Sequence, residues 1–350
     1  MQSCALNHTH RDGSADDAPP PIGDRLFSVN TPPSLEGFKQ LTVESRATSY
    51  PLSTAIKQHV PIYNLPEYST LTNEQRATLQ DEWYHILLHG PGVFITKNLY
   101  KNTELFQRVD EVFAGNAKRG DHFASSGAND RIWNSFQKHC LQDPQFFLTY
   151  YSNPWLPLIS SAWLGPHHRL TAQVNIVKPG AKAQMSHRDY HLGFQDAESV
   201  QLRNSDMPVE SGPTRLLPFS QRFEAGYMAY RLPEFQQYFL ERYVSMPLEL
   251  GDGIFFNPAL FHAAGQNNSE SILRSANLLQ ISAAFAKPME AIDSFALVEN
   301  TWTGLQGMYK QDGLSDEVKA VVGHVAEGYP FPTNLDVGVP ETAGMAPESE

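Results

Sequence analysis

Only two cysteines, Cys4 and Cys140, occur in this 350-residue chain. They lie far apart and one sits in a ragged N-terminal stretch, so no disulfide framework is expected and a reducing compartment is. No apolar run approaches the roughly 18 residues of a membrane-spanning helix, so no membrane partner is expected. Lys and Arg form no cluster and the formal net charge is -12, which leaves no footprint for nucleic-acid phosphates. The N-terminus lacks a basic-then-apolar leader, and its acidic residues argue against a transit peptide. The closing Pro347-Glu348-Ser349-Glu350 is not a peroxisomal tripeptide. The expectation is a cytoplasmic protein acting on a small molecule.

What is present is enough to build a large core: 41% of residues are hydrophobic and 11% aromatic. One domain with loose ends is expected, because β-barrels with helical decoration reach such lengths as single units. Residues 1–50 are rich in Pro, Ser, Thr, Asp and Asn without apolar periodicity, which predicts a flexible lead, part of which drapes over the domain. A single domain is expected over 51–335 and a flexible tail over 336–350. Thr72 with Gln75 fits a capping box opening a helix that runs to His89, with Leu79, Trp83, Ile86 and Leu87 at helical spacing and Gly90 as a left-handed cap. A strand over 92–96 and a helix over 103–113 follow.

From about 170 to 285 the texture changes to short β-rich runs broken by turn residues: 170–177, 183–189, 212–218, 246–250, 254–256 and 276–284. Strands at this spacing predict a sandwich or jelly roll. Helical patterns over 222–243 and 289–327 read as an insertion and packing helices.

Within these runs stand His187-Arg188-Asp189 and, much later, His262 and Arg274. In a strand, residues two apart share a face about 6.6 Å apart, so His187 and Asp189 can converge on one ion while Arg188 points away. His191 lies roughly 13 Å along, too far for the same ion, and is better placed near a substrate. His262, in an apolar strand and turn, would bring a second imidazole inward. Two imidazoles and one carboxylate form the facial ligand set of a non-haem iron(II) site. The bland alternatives are a satisfied core histidine and a surface ion pair. Arg274 opens an apolar run, where a buried guanidinium needs a carboxylate. Either an exchangeable dicarboxylate or a fixed salt bridge would supply it. Thr214 and Gln184 are hydrogen-bonding side chains on runs flanking the metal, and equally could be plain strand residues. Tyr190, His191, Phe194 and Gln195 follow the ligand pair, and Phe331 lies in an aromatic segment, 328–334, that could cover the mouth. Routine packing explains both equally well.

From about 75 to 285 the chain resembles the phytanoyl-CoA dioxygenase family of iron(II)- and 2-oxoglutarate-dependent oxygenases. The matching pieces are the opening that ends Gly92-Val93-Phe94-Ile95, Gln184-Met185-Ser186-His187-Arg188-Asp189, Gly212-Pro213-Thr214, Gly251-Asp252-Gly253, and His262 with Arg274. The resemblance implies an all-β core, a double-stranded β-helix (jelly roll, cupin-like) with flanking α-helices. It implies His187, Asp189 and His262 as iron ligands and catalytic residues, Arg274 on the distal carboxylate of 2-oxoglutarate, and Thr214 and Gln184 hydrogen-bonding that co-substrate. With dioxygen, such an enzyme releases succinate and carbon dioxide and oxidises its substrate by hydroxylation, desaturation or ring closure. One departure is that the stretch from Gly212 to Gln221 lacks the usual Gly-Ser-His ending. Family members that halogenate replace the carboxylate ligand with a small residue, and Asp189 is present, so halogenation is not expected. Without a basic cluster for coenzyme A phosphates, the substrate is expected to be a small or medium-sized metabolite, such as an amino-acid derivative or secondary metabolite. A non-oxidative metal enzyme on a similar barrel, or a non-catalytic metal-binding barrel, remains the alternative.

Overall fold

The computed structural model describes Ser28 and residues 30–43, 50–114, 129–189, 197–203, 206–286, 288–326, 336 and 338–341. In chain order its first half runs α1 (Leu35–Val43), β1 (Ala55–Lys57), β2 (Val60–Asn64), α2 (Asn73–Leu88), β3 (Val93–Lys97), α3 (Glu104–Ala114), β4 (Asn129–Ile132), α4 (Ser135–Gln142), α5 (Pro144–Tyr151) and α6 (Trp155–Leu164). The second half runs β5 (Arg169–Val177), β6 (Ala197–Arg203), β7 (Arg215–Leu216), α7 (Gly226–Ala229), α8 (Pro233–Arg242), β8 (Val244–Ser245), β9 (Gly253–Phe256), β10 (His262–Ala263), β11 (Arg274–Ser282), α9 (Ser294–Asp312) and α10 (Asp316–Val325).

Local chemistry sets several of these boundaries. The Thr72 hydroxyl accepts from Gln75 N at 3.2 Å and the Gln75 side chain accepts from Thr72 N at 2.9 Å, closing the expected capping box of α2. Trp83, Ile86 and Leu87 turn inward from that helix. The left-handed residue past its end is Gly92, with φ +78°, and not Gly90. Gly90 is needed for another reason: a Cβ there would stand 2.3 Å from the Tyr50 hydroxyl oxygen. Asp293 and Ser315 cap α9 and α10 by accepting from Ala296 N and Val318 N.

The strands form an eight-stranded sheet, ordered β1-β2-β3-β9-β6-β11-β5-β4, and a three-stranded sheet, ordered β10-β7-β8. They do not close into a barrel among the described residues. The large sheet reaches beyond the expected β core of 170–285, taking in β1 to β4. Its long seam pairs β11 with β5 antiparallel from Arg274↔Val177 to Ser282↔Arg169. Strand β4 extends it through Asn129↔Val177 and Arg131↔Asn175. One side of this sheet packs on a core that includes Trp83, Phe94, Phe147, Tyr151 and Leu279.

Three expected strands are shorter than the sequence suggests. Residues 183–189 hold only the single bridge His187↔His262, residues 212–218 shrink to β7, and 246–250 keep only the single bridge Met207↔Leu248, the two-residue β8 lying just before them. Pro213, Pro218 and Pro247 explain the last two, since a proline offers no N–H to a ladder.

Part of the lead expected to be flexible is ordered as α1. Phe38 is fully buried, its ring 4.8 Å from Phe261, 5.1 Å from Phe223 and 5.2 Å from Phe235. One aromatic anchor offsets the entropy that the polar composition predicts will keep the segment loose. Phe38→Ala should cost about 3–5 kcal/mol and expose α1 to limited proteolysis. An unchanged melting temperature and cleavage pattern would show that the helix is not docked through this ring.

Candidate metal centre

The backbone brings the two histidines together. His187 and His262 form an antiparallel bridge, with His187 N donating to His262 O at 2.9 Å and His262 N to His187 O at 3.0 Å. Asp189 N donates to Pro258 O at 3.0 Å, which fixes the third residue against the same turn. The side chains converge: Asp189 Oδ1 lies 3.7 Å from His187 Nε2, and Asp189 Oδ2 lies 3.6 Å from His262 Nε2. One potential ligand atom from each residue falls within 4.8 Å of the others.

The imidazoles are held in the tautomer a metal needs. His187 Nδ1 lies 3.1 Å from Met185 O and His262 Nδ1 lies 2.8 Å from Leu260 O. A carbonyl can only accept, so each Nδ1 donates and each Nε2 turns its lone pair inward. Burial lowers the pKa of His187, with the neighbouring His262 adding to it. Burial also opposes charge on His262, but Asp189 outweighs it and the net direction is up. A dication between the three would replace the proton that Asp189 favours on His262.

Arg188, expected to point away, does so into protein and not into solvent. It is 4% exposed, and its Nη2 donates to Ser220 O at 2.6 Å, Phe223 O at 2.9 Å and Gln221 O at 3.2 Å. The surface ion-pair reading is therefore set aside. Burial pushes its pKa down to about 10, so it remains a cation at neutral pH.

A cavity of about 840 Å³ opens on the three residues and is also lined by Arg274, Thr214 and Gln184. Arg274 is 4% exposed; burial pushes its pKa down to about 10, and among the described residues its Nη1 reaches Ser211 O, at 3.5 Å. No carboxylate pairs with it among the described residues, so the fixed salt bridge weighed for it is not found there. Thr214 is 8% exposed and follows Gly212, whose φ is +72° and whose added Cβ would lie 2.1 Å from Gln266 O. Only glycine lets the loop carrying Thr214 approach that carbonyl so closely. Gln184 Oε1 accepts from Ala264 N at 3.2 Å, tying the run before His187 to the residue after β10. Tyr190, His191, Phe194, Gln195 and Phe331 lie outside the described residues.

Sequence reasoning missed Gln236 on α8, which clamps the backbone before His187. Ser186 N donates to its Oε1 at 3.1 Å and its Nε2 donates to Ser186 O at 2.8 Å. It also missed the wall of the cavity built by Arg131, Gln173, Asn175 and Gln280. The available signal was Gln173 and Asn175, which continue from Arg169 and Thr171 the polar alternate positions of β5.

Residues 71–276, more than half of the chain and including every residue of the metal cluster, match the Phytanoyl-CoA dioxygenase (PhyH) family. The chain belongs to that family. Among PhyH-like relatives, it is 29% identical over 189 residues to dioxygenase olcK of Penicillium canescens, covering 51% of this chain and 55% of that protein. It is 26% identical over 161 residues to dioxygenase cdmD of Talaromyces verruculosus, covering 41% of this chain and 50% of that one. The chain thus spans about half the length of these curated relatives. Its fold is shared with the crystal structure of SnoK, a non-heme alpha-ketoglutarate-dependent carbocyclase from nogalamycin biosynthesis. The TM-score is 0.50 at 18% identity, over 66% of this chain and 92% of SnoK. That fold, of β-sheets with packed helices, is the one found for this PhyH member. No helix among its described residues is long and apolar enough to cross a membrane.

Proposed function

We propose that this PhyH-family member is an iron(II)- and 2-oxoglutarate-dependent dioxygenase acting on a small or medium-sized metabolite. In this reading the two sheets are the halves of a double-stranded β-helix, within one domain over 51–335 onto which α1 docks. The observation that carries it is the pairing, in one cavity, of a His-Asp-His cluster with a buried arginine that has no carboxylate partner among the described residues. Family membership and the two relatives named dioxygenases support it.

The donor set fits iron(II): two neutral imidazoles and one carboxylate leave a net charge of about +1 and open positions for a chelating 2-oxo acid and dioxygen. When bound, these supply the oxidant for a substrate C–H bond, with 2-oxoglutarate converted to succinate and carbon dioxide. His187, Asp189 and His262 would hold the metal, with the Met185 and Leu260 carbonyls fixing both ring orientations. Arg274 would hold the distal carboxylate of 2-oxoglutarate, a charge that satisfies the guanidinium only while the co-substrate is present. Thr214 and Gln184 would hydrogen-bond the same molecule. The cavity would hold the substrate so that its reacting C–H is shielded from water. Asp189 occupies the place a chloride would need, which favours oxygenation over halogenation.

Anaerobic absorption titration of the iron(II)-loaded protein with 2-oxoglutarate tests this. A weak visible charge-transfer band should saturate in the parent, and Arg274→Ala should need about 30-fold or more 2-oxoglutarate, as for loss of one partner of a buried charged pair. No band with iron bound would defeat the oxygenase reading in favour of a non-oxidative metal enzyme.

A further inference from the structure

The carbonyls that orient the two histidines belong to peptides that are themselves held. His187 Nδ1 lies 3.1 Å from Met185 O, and the N–H of that same peptide, Ser186 N, donates to Gln236 Oε1 at 3.1 Å. His262 Nδ1 lies 2.8 Å from Leu260 O, and the N–H of that peptide, Phe261 N, donates to Ser220 Oγ at 2.8 Å. Both chains follow one pattern: imidazole N–H to carbonyl, then, across a single planar amide, N–H to a side-chain oxygen. Gln236 comes from α8 and Ser220 from the turn between β7 and α7. Two separate elements therefore serve the two rings.

Each of these side chains is fixed by further bonds. Gln236 Nε2 donates to Ser186 O at 2.8 Å and to Tyr230 O, so its amide grips both backbone groups of Ser186 as a neighbouring strand would. The next residue, His187, gives its own N–H and C=O to His262, and the ligand-bearing run is thus held from two sides. Ser220 is fully buried, and its hydroxyl donates to Leu217 O at 2.6 Å, which leaves an oxygen lone pair for Phe261 N. The residue before it, Phe219, has φ +70°, a left-handed conformation that costs a bulky residue about 1–3 kcal/mol. The turn that follows presents Ser220 to Phe261. A peptide amide is conjugated, so an acceptor on its N–H makes its carbonyl oxygen a better acceptor in turn. A stronger bond from that carbonyl to Nδ1–H fixes the ring and makes Nε2 a more basic ligand.

We propose that Gln236 and Ser220 are paired positioning residues for the metal, each holding one histidine through the peptide that orients it. The proposal rests on the metal-site reading above and adds to it two residues outside the ligand set. Each acts on its own ring: Gln236 on His187, Ser220 on His262. Disturbing the outer partner of a metal-bound histidine weakens metal binding about 10- to 100-fold. One peptide further out, the lower end of that range is expected for each side chain.

The test is proton–nitrogen NMR of the full chain with isotope-labelled histidine, loaded with zinc as a diamagnetic divalent probe, together with calorimetric zinc titration. The parent should show a downfield ring N–H proton for each histidine, that of His262 identified by its contact with the Phe256 ring, whose centroid lies 5.0 Å away. In Gln236→Met the His187 proton should move upfield while the His262 proton stays. In Ser220→Ala the reverse should hold, so each variant is the other's control. Zinc should bind about 10-fold more weakly to either variant, measured at a temperature where the metal-free melt shows both fully folded. A lower melting temperature with unchanged zinc affinity and unmoved ring protons would overturn the proposal, leaving both residues as structural only. Equal movement of both protons in either variant would also overturn it, because the effect would then be general loosening. A parent that binds no zinc would overturn the metal-site reading itself, and the positioning roles with it.

Discussion

Replacing Asp189 by alanine is expected to weaken divalent-metal binding by more than about 100-fold, beyond the 10- to 100-fold that follows from disturbing a ligand's outer partners. The reason lies in the charge of the cluster. Among the described residues that line the cavity Asp189 is the one acid, set among five basic side chains. Without it a dication would face two neutral rings and a positive wall. The backbone scaffold should survive, because the His187↔His262 bridge and the Asp189 N to Pro258 O bond are made by main-chain atoms. Metal titration by calorimetry together with the thermal melt separates the two effects. Retention of metal affinity within a few-fold would remove Asp189 from the ligand set, and with it the proposed reaction.

Arg188→Met should lower stability by about 3–5 kcal/mol, as much as Phe38→Ala, because it deletes the donor to three carbonyls while nearly preserving volume. At roughly 2–4 °C per kcal/mol, the melting temperature should fall by about 10 °C. The guanidinium ties the metal-bearing stretch to residues 220–223 and sits 5.3 Å from the Phe261 ring centroid. Ser220 in turn accepts from Phe261 N at 2.8 Å, one residue before His262. Loss of Arg188 therefore loosens both sides of the cluster. Gly226 completes this packing, since a Cβ there would stand 2.1 Å from the Arg188 guanidinium carbon. A melting temperature within a degree or two of the parent would show that the three carbonyls find other donors and that Arg188 is not structural.

Much of the candidate site was legible before any fold was known, because its signals are local. Asp189 two residues after His187, Gln184 just ahead, Gly212 before Thr214, and a lone arginine opening an apolar run are all readable from adjacent residues. The capping box of α2 belongs to the same class. Elsewhere local rules misled. Residues 183–189 were expected to form a strand, and the structure gives that run one bridge, because its partner turn carries only the short β10. Helix α5 buries five of its eight residues, including Phe146, Phe147 and Tyr150, and every residue of α6 is buried or half-buried. Helices with so little polar face show a weak apolar stripe for periodicity to detect. The expected flexible lead hides α1 for the opposite reason: its composition is polar, and a single ring, Phe38, docks it.

The sequence by itself determined the chemical types: two imidazoles and one carboxylate at spacings that suit a facial metal site, and an arginine in an apolar run. Those are properties of side chains and near neighbours, and survive without knowledge of the fold. Tertiary structure decided what faces what. Register between β4, β5 and β11, strands far apart in the chain, puts Arg131 and Arg274 on one wall. Burial decided that Arg188 binds carbonyls while Arg274 is left without a carboxylate among the described residues. Cavity shape and charge arise from side chains converging across the whole chain, so they exist only once the sheets have paired.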